Sequence, residues 1–62
     1  MSAQMTEIEW LAIVSALRIA CEKYREDAKN NEKHPSIALQ FCDQADLADM
    51  LAVRIEEQLY GD

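Results

Sequence analysis

Two cysteines, one histidine and an excess of acids are the groups in this chain that could do chemistry. A thiol nucleophile would be Cys21 or Cys42, with His34 as its base, and that step needs hydrogen-bond reach between the two groups. Cys42 lies eight positions past His34, about 12 Å along a helix, and Cys21 is further away. Neither thiol has a basic cluster beside it in the sequence to lower its pKa, so both read as small packing groups. One histidine and two scattered cysteines lack the spacing of a zinc site, and the E-x-x-H pairs of di-iron bundles are missing. Paired carboxylates working as acid and base would need a pocket. The expectation is no catalytic residue, no metal and no cofactor.

Binding chemistry is better represented. Asp43, Asp46 and Asp49 recur every three residues, and Glu56 follows. Together they make an acidic ridge that would engage a basic protein surface, or else a solvated face. Arg18, Tyr24 and Arg25 would line a cleft for a small anionic ligand if several chains brought them together. The basic residues Arg18, Lys23, Arg25 and Lys29 also interleave with acids at helical spacings, Arg18 with Glu22 and Lys23 with Asp27, which surface pairing also explains.

The elements that carry these groups are two helices. Thr6 to Glu9 reads T-x-x-E, a capping box that starts the first helix. Its stripe is Trp10, Val14, Leu17, Cys21, Tyr24 and Ala28, stepping 4-3-4-3-4 as a heptad seam does. The break is Asn30 to Ser36. Asn tolerates the left-handed conformation that ends helices, and Pro35 suits the first turn of a new helix. The second helix carries Ile37, Phe41, Gln44, Ala48, Leu51, Ile55 and Leu59, with Ala45 and Ala52 alongside, and stops at Gly61. Both helices come to about 25 residues, and a short loop makes them antiparallel neighbours. This register sets Tyr24 near Phe41, Trp10 near Ile55 and Leu59, and Cys21 opposite Asp46 rather than Cys42.

The chain thus reads as one all-α domain, residues 1–62: helix at about 6–31, loop at about 32–35, helix at about 36–60. Trp10, Ile13, Val14, Leu17, Tyr24, Phe41, Leu51, Ile55 and Leu59 are the expected core. The stretch Ile8 to Cys21 is apolar nearly all round, more than one neighbouring helix can cover. Short chains commonly lean on oligomerisation. The antiparallel hairpin is therefore expected to self-associate into a four-helix bundle or a higher oligomer through Ile8, Leu11, Ala12, Ser15, Ile19, Leu47 and Met50.

Twelve Asp and Glu against six Lys and Arg give a net charge of −6. Phosphate-backbone binding needs a basic face, so nucleic acid is an unlikely partner. With no signal-peptide pattern, two unpaired cysteines and no apolar run of bilayer length, the expectation is a cytoplasmic protein without a membrane partner.

Two equal heptad helices, a short loop, an acidic balance and a polar Gly61-Asp62 tail make the layout resemble the Rop-type plasmid RNA-binding hairpins. That resemblance spans the whole chain and implies a paired hairpin bundle. Those proteins bind RNA through polar, aromatic and basic residues on the first helix, where this chain has Ile8, Ala12, Ser15 and Ile19. The segment Ile13 to Arg18, the polar loop and the alanine-rich second helix also resemble small acidic helical proteins of phages and prophages. That likeness implies a non-enzymatic, host-directed or defence-directed role. The leading expectation is a small oligomeric binding or inhibitor protein that acts on a protein partner. The alternatives are an anionic-ligand or nucleotide binder with a pocket between subunits, and a Rop-like RNA regulator.

Overall fold

In a computed structural model, residues 5–61 form two helices, α1 (Glu7–Asn30) and α2 (Pro35–Tyr60), packed against each other as a hairpin. The capping box forms as spaced: the Thr6 amide donates to Glu9 Oε1 at 2.9 Å, and the Glu9 amide donates to Thr6 Oγ1 at 3.2 Å. Two of the four orphan amides of the helix start are satisfied this way. These hydrogen bonds hold the Glu9 carboxyl below its ordinary pKa, the Thr6 amide contributing most and its hydroxyl next.

The turn differs from expectation in its cap. Asn31 is not left-handed; it sits at φ −113°, ψ 24°, and no described residue has a positive φ outside glycine. Its side-chain Nδ2 instead donates to the Asp27 carbonyl at 2.7 Å, which also accepts from the Asn31 amide at 3.1 Å. Pro35 opens α2 in its first turn, as its fixed φ and missing amide allow, while His34 at the N-cap makes no side-chain capping bond. Gly61 is not left-handed either but extended, at φ −84°, ψ 155°. Its amide donates to the Glu57 carbonyl at 2.7 Å. A glycine is needed there because a Cβ would collide with that carbonyl, and not because of its φ.

Among the described residues six are buried: Val14, Cys21 and Ala28 on α1, and Ala45, Ala48 and Ala52 on α2. Small residues facing each other let two helices approach closely. Of the nine expected core residues, Val14 alone is buried; the other eight remain half-buried. The seam itself is correct. Tyr24 stacks on Phe41 with ring centroids 6.3 Å apart, and Trp10 shares a recess with Ile55 and Leu59. What the expectation missed is the arithmetic of two helices. One neighbour covers the centre of a stripe, and the large side chains beside that centre reach past the partner's edge.

The result is a rod of 43 × 24 × 17 Å. Its radius of gyration is 14.1 Å, against roughly 10.6 Å for a compact domain of this length. It exposes 5051 Å², about 1,000 Å² more than a compact monomer of its mass would. No helix among the described residues is long and apolar enough to cross a membrane.

Candidate functional site

Successive residues turn by about 100° around a helix, so each helix of the hairpin has a buried centre, two flanks and an outer side. The two flanks of this hairpin differ in kind.

One flank is charged. Arg18 on α1 pairs with Asp49 at 3.4 Å and, in a short contact, with Glu56, both on α2. Arg25 reaches Asp46 at 3.5 Å. Arg18 and Arg25 are seven residues apart, as are Asp49 and Glu56, so each helix places its charges on one line beside the seam. The expected Arg18–Glu22 pair gives way to these cross-helix contacts. Lys23 does pair with Asp27, at 3.1 Å. That hydrogen bond, and then the charges of Asp27 and Glu26, raise the Lys23 pKa. All these groups are half-exposed, so each pair contributes little alone.

The other flank is apolar. Leu17, Ala20 and Tyr24 of α1 and Gln44, Leu47 and Leu51 of α2 line a shallow groove of about 140 Å³, with Ala48 at its floor. At the free end of the hairpin, Trp10, Ile55, Gln58 and Leu59 enclose a wider recess of about 440 Å³. Among the described residues, the polar groups lining the two are all neutral: the side chains of Gln44 and Gln58, the Tyr24 hydroxyl and the Trp10 indole N–H. No charge would have to be desolvated to cover this flank, which is the composition of an interface centre.

This geometry redistributes the residues singled out in the sequence. Ile8, Ala12, Ser15 and Ile19 run along the outer side of α1, with Ile8 80% and Ile19 68% exposed. Ile19 follows Leu17 by two positions, which turns it about 160° away from the groove. Leu11 is half-buried on the charged flank, seven residues before Arg18. Leu47 belongs to the groove, and Met50 is exposed on the outer side of α2. These seven residues therefore do not share one surface of the hairpin. Asp46, Asp49 and Glu56 do fall on one side, but their charges are offset by Arg18 and Arg25. Asp43 lies apart from them, one turn before Leu47.

Arg18, Arg25 and Tyr24 are not gathered within the hairpin either: the arginines take the charged flank and Tyr24 the groove. Cys21 is buried against Ala45 and Ala48, and Cys42 is exposed. Arg25 follows one turn on, and the neighbouring Cys21 side chain is the main influence raising the guanidinium's pKa. Among the described residues no three His, Cys, Asp or Glu side chains come together as a metal site.

Sequence reasoning placed Leu17, Gln44 and Leu51 inside the core and so missed the groove. The signal that could have found it is the heptad position beside the seam. On one side it repeats as Arg18 and Arg25 facing Asp49 and Glu56; on the other it repeats as Leu17 and Tyr24 facing Gln44, Leu51 and Gln58. Comparison with known protein families, with curated proteins and with solved structures gives no match for this chain.

Proposed function

We propose that this chain is a non-enzymatic binding protein that works by laying its apolar flank against a protein surface. One observation carries the reading. Exposed Leu47 and half-buried Leu17 and Leu51 wall a groove beside a core of small and medium side chains. Monomeric proteins keep such contiguous apolar patches small, and larger ones mark contact sites. Both recesses described in this slim two-helix rod are open grooves.

The competing readings gain less support. An anionic-ligand cleft built on Arg18 and Arg25 needs them available, whereas each is held by an acid, and Arg54 lies apart on the other helix. An inhibitor or adaptor acting through apolar contact asks nothing of those groups.

The test is a photo-crosslinking amino acid placed at position 47, with position 57 on the outer side of α2 as control, in the cell that encodes the protein. Discrete adducts from position 47 and none from position 57 are expected. Equal labelling from both positions, or none from either, would overturn the reading.

A further inference from the structure

Taking the groove as a docking surface, we propose that its occupant is a second copy of this chain, set with the two turns at opposite ends so that Arg54 of each copy lies beside Asp43 of the other.

The area fits. The hairpin exposes about 1,000 Å² beyond a compact fold of its mass, and a stable interface of standard size buries about 800 Å² on each partner. The composition fits as well. A two-fold interface brings one patch against itself, so a patch that carries charge at its centre would meet its own charge. The centre here is Leu17, Ala20, Leu47 and Leu51 with the neutral Gln44, and it can meet its copy without burying a charge.

The orientation follows from the rim. Asp43, Leu47 and Arg54 are spaced by four and seven residues and lie on one line of α2, with Leu47 in the groove. Asp43 and Arg54 are both exposed, and neither has an ion pair among the described residues. They lie about 16 Å apart along the helix, on either side of Leu47, Ala48 and Leu51. A two-fold axis crossing the helices at that centre sets α2 antiparallel on α2 and exchanges the two positions. Each free cation then meets a free carboxylate, twice in the dimer. The same rotation brings Glu9 near the other copy's Asp27, whose charge Lys23 already offsets. The alternative, with both turns at one end, sets α2 on the other copy's α1. It offers Arg54 only Glu9, already bound to the Thr6 amide, and offers Asp43 only Lys23, already paired.

Sedimentation equilibrium and light scattering on the full chain, from roughly 1 to 100 µM, test this, with far-UV circular dichroism confirming that each variant stays helical. The expected species is two copies in reversible equilibrium with one. Leu47→Glu should weaken pairing by more than about a hundredfold, since each dimer would bury two carboxylates. Arg54→Asp and Asp43→Arg should each weaken it about two- to thirty-fold. The double variant should return to within about threefold of the parent, because the exchanged charges still meet. A single-copy mass at every concentration overturns the inference. If position 47 still crosslinks to another protein in that case, the groove remains a docking surface and only self-pairing falls. A dimer indifferent to Leu47→Glu, or a double variant as weak as the singles, also overturns it. Should Leu47→Glu unfold the chain, the two exposed charge positions decide the outcome.

Discussion

Replacing Ala45 by leucine tests the central packing claim, that the two helices meet over alanines. Ala45 is 0% exposed and sits against Cys21 and Ala48, with Leu17 and Tyr24 around them. Leucine adds three carbons at a point with no free space. If the seam could accept them, their burial would contribute roughly 2.4 kcal/mol of stabilisation. It cannot do so without moving α1 outward, because helix separation is set by the side chains at the contact. Moving α1 uncovers Ala48, Ala52 and Ala28, and overpacking of this kind costs about 1–3 kcal/mol net. Leucine is nearly as good a helix former as alanine, so propensity hardly enters.

A chain of this length has about 3–9 kcal/mol of stability in all, so the loss is a large share of it. With a urea m-value near ~1 kcal/mol/M, the midpoint should fall by about 1–3 M. The assay is urea unfolding followed by circular dichroism at 222 nm, at one fixed protein concentration because association would shift the midpoint. Ala12→Leu, on the exposed outer side of α1, is the control and should stay within about 0.5 kcal/mol of the parent. An Ala45→Leu midpoint equal to or above that of the parent would refute close approach at this position.

Thr6→Ala should cost about 1 kcal/mol by removing the cap of α1, read from the same urea curves. Because its folded pKa is lowered, Glu9 adds stability fully above its ordinary value of 4.5 and loses it as pH falls through the lower folded value; the parent's midpoint should fall across that window more than that of Glu9→Gln. Arg18→Ala, combined with Asp49→Asn in a double-mutant cycle, should give a coupling of about 0.5 kcal/mol that fades in about 1 M salt, since the pair is half-exposed. His34→Asp should stabilise the hairpin by about 1 kcal/mol, because α2 begins with no side-chain cap and no acid in its first turn; an unchanged melting temperature would mean that the start of α2 is already satisfied.

The local signals were legible because they are local. Thr6 and Glu9 need only three residues to find each other, and Pro35 fixes its own φ. The register was legible as well, since a short turn between equal helices leaves one way to set Tyr24 on Phe41 and Trp10 beside Ile55 and Leu59. Depth of burial was not legible. A heptad stripe gives the direction of a partner but not how much of each side chain a single partner covers, so Leu17 and Leu51 read as core where the hairpin leaves them as groove walls. The cap at Asn31 was misread for a similar reason. Its residue type permits both a left-handed backbone and a side-chain bond to Asp27, and the chain's need to reach Pro35 selects the second.

The unlike flanks bear on which side of the hairpin a partner takes. A rod with two apolar flanks could add copies on both sides and grow without closing. Here one flank is held by Arg18 and Arg25 against three carboxylates. A partner seated there would have to strip water from those ion pairs, and desolvating paired charges costs several kcal/mol per ion. That flank is therefore disfavoured for association, and the proposed contact takes the side of Leu17, Leu47 and Leu51. The outer isoleucines, Ile8 and Ile19, do not reopen the question. They stand on a strip with Ala12 and Ser15, flanked by Glu7, Glu22 and Glu26, and apolar residues scattered singly on a surface are ordinary. If the proposed pairing holds, sedimentation equilibrium should show Ile19→Glu leaving it unchanged and Leu47→Glu weakening it by more than about a hundredfold; the reverse outcome would place the contact on the outer side of α1 instead.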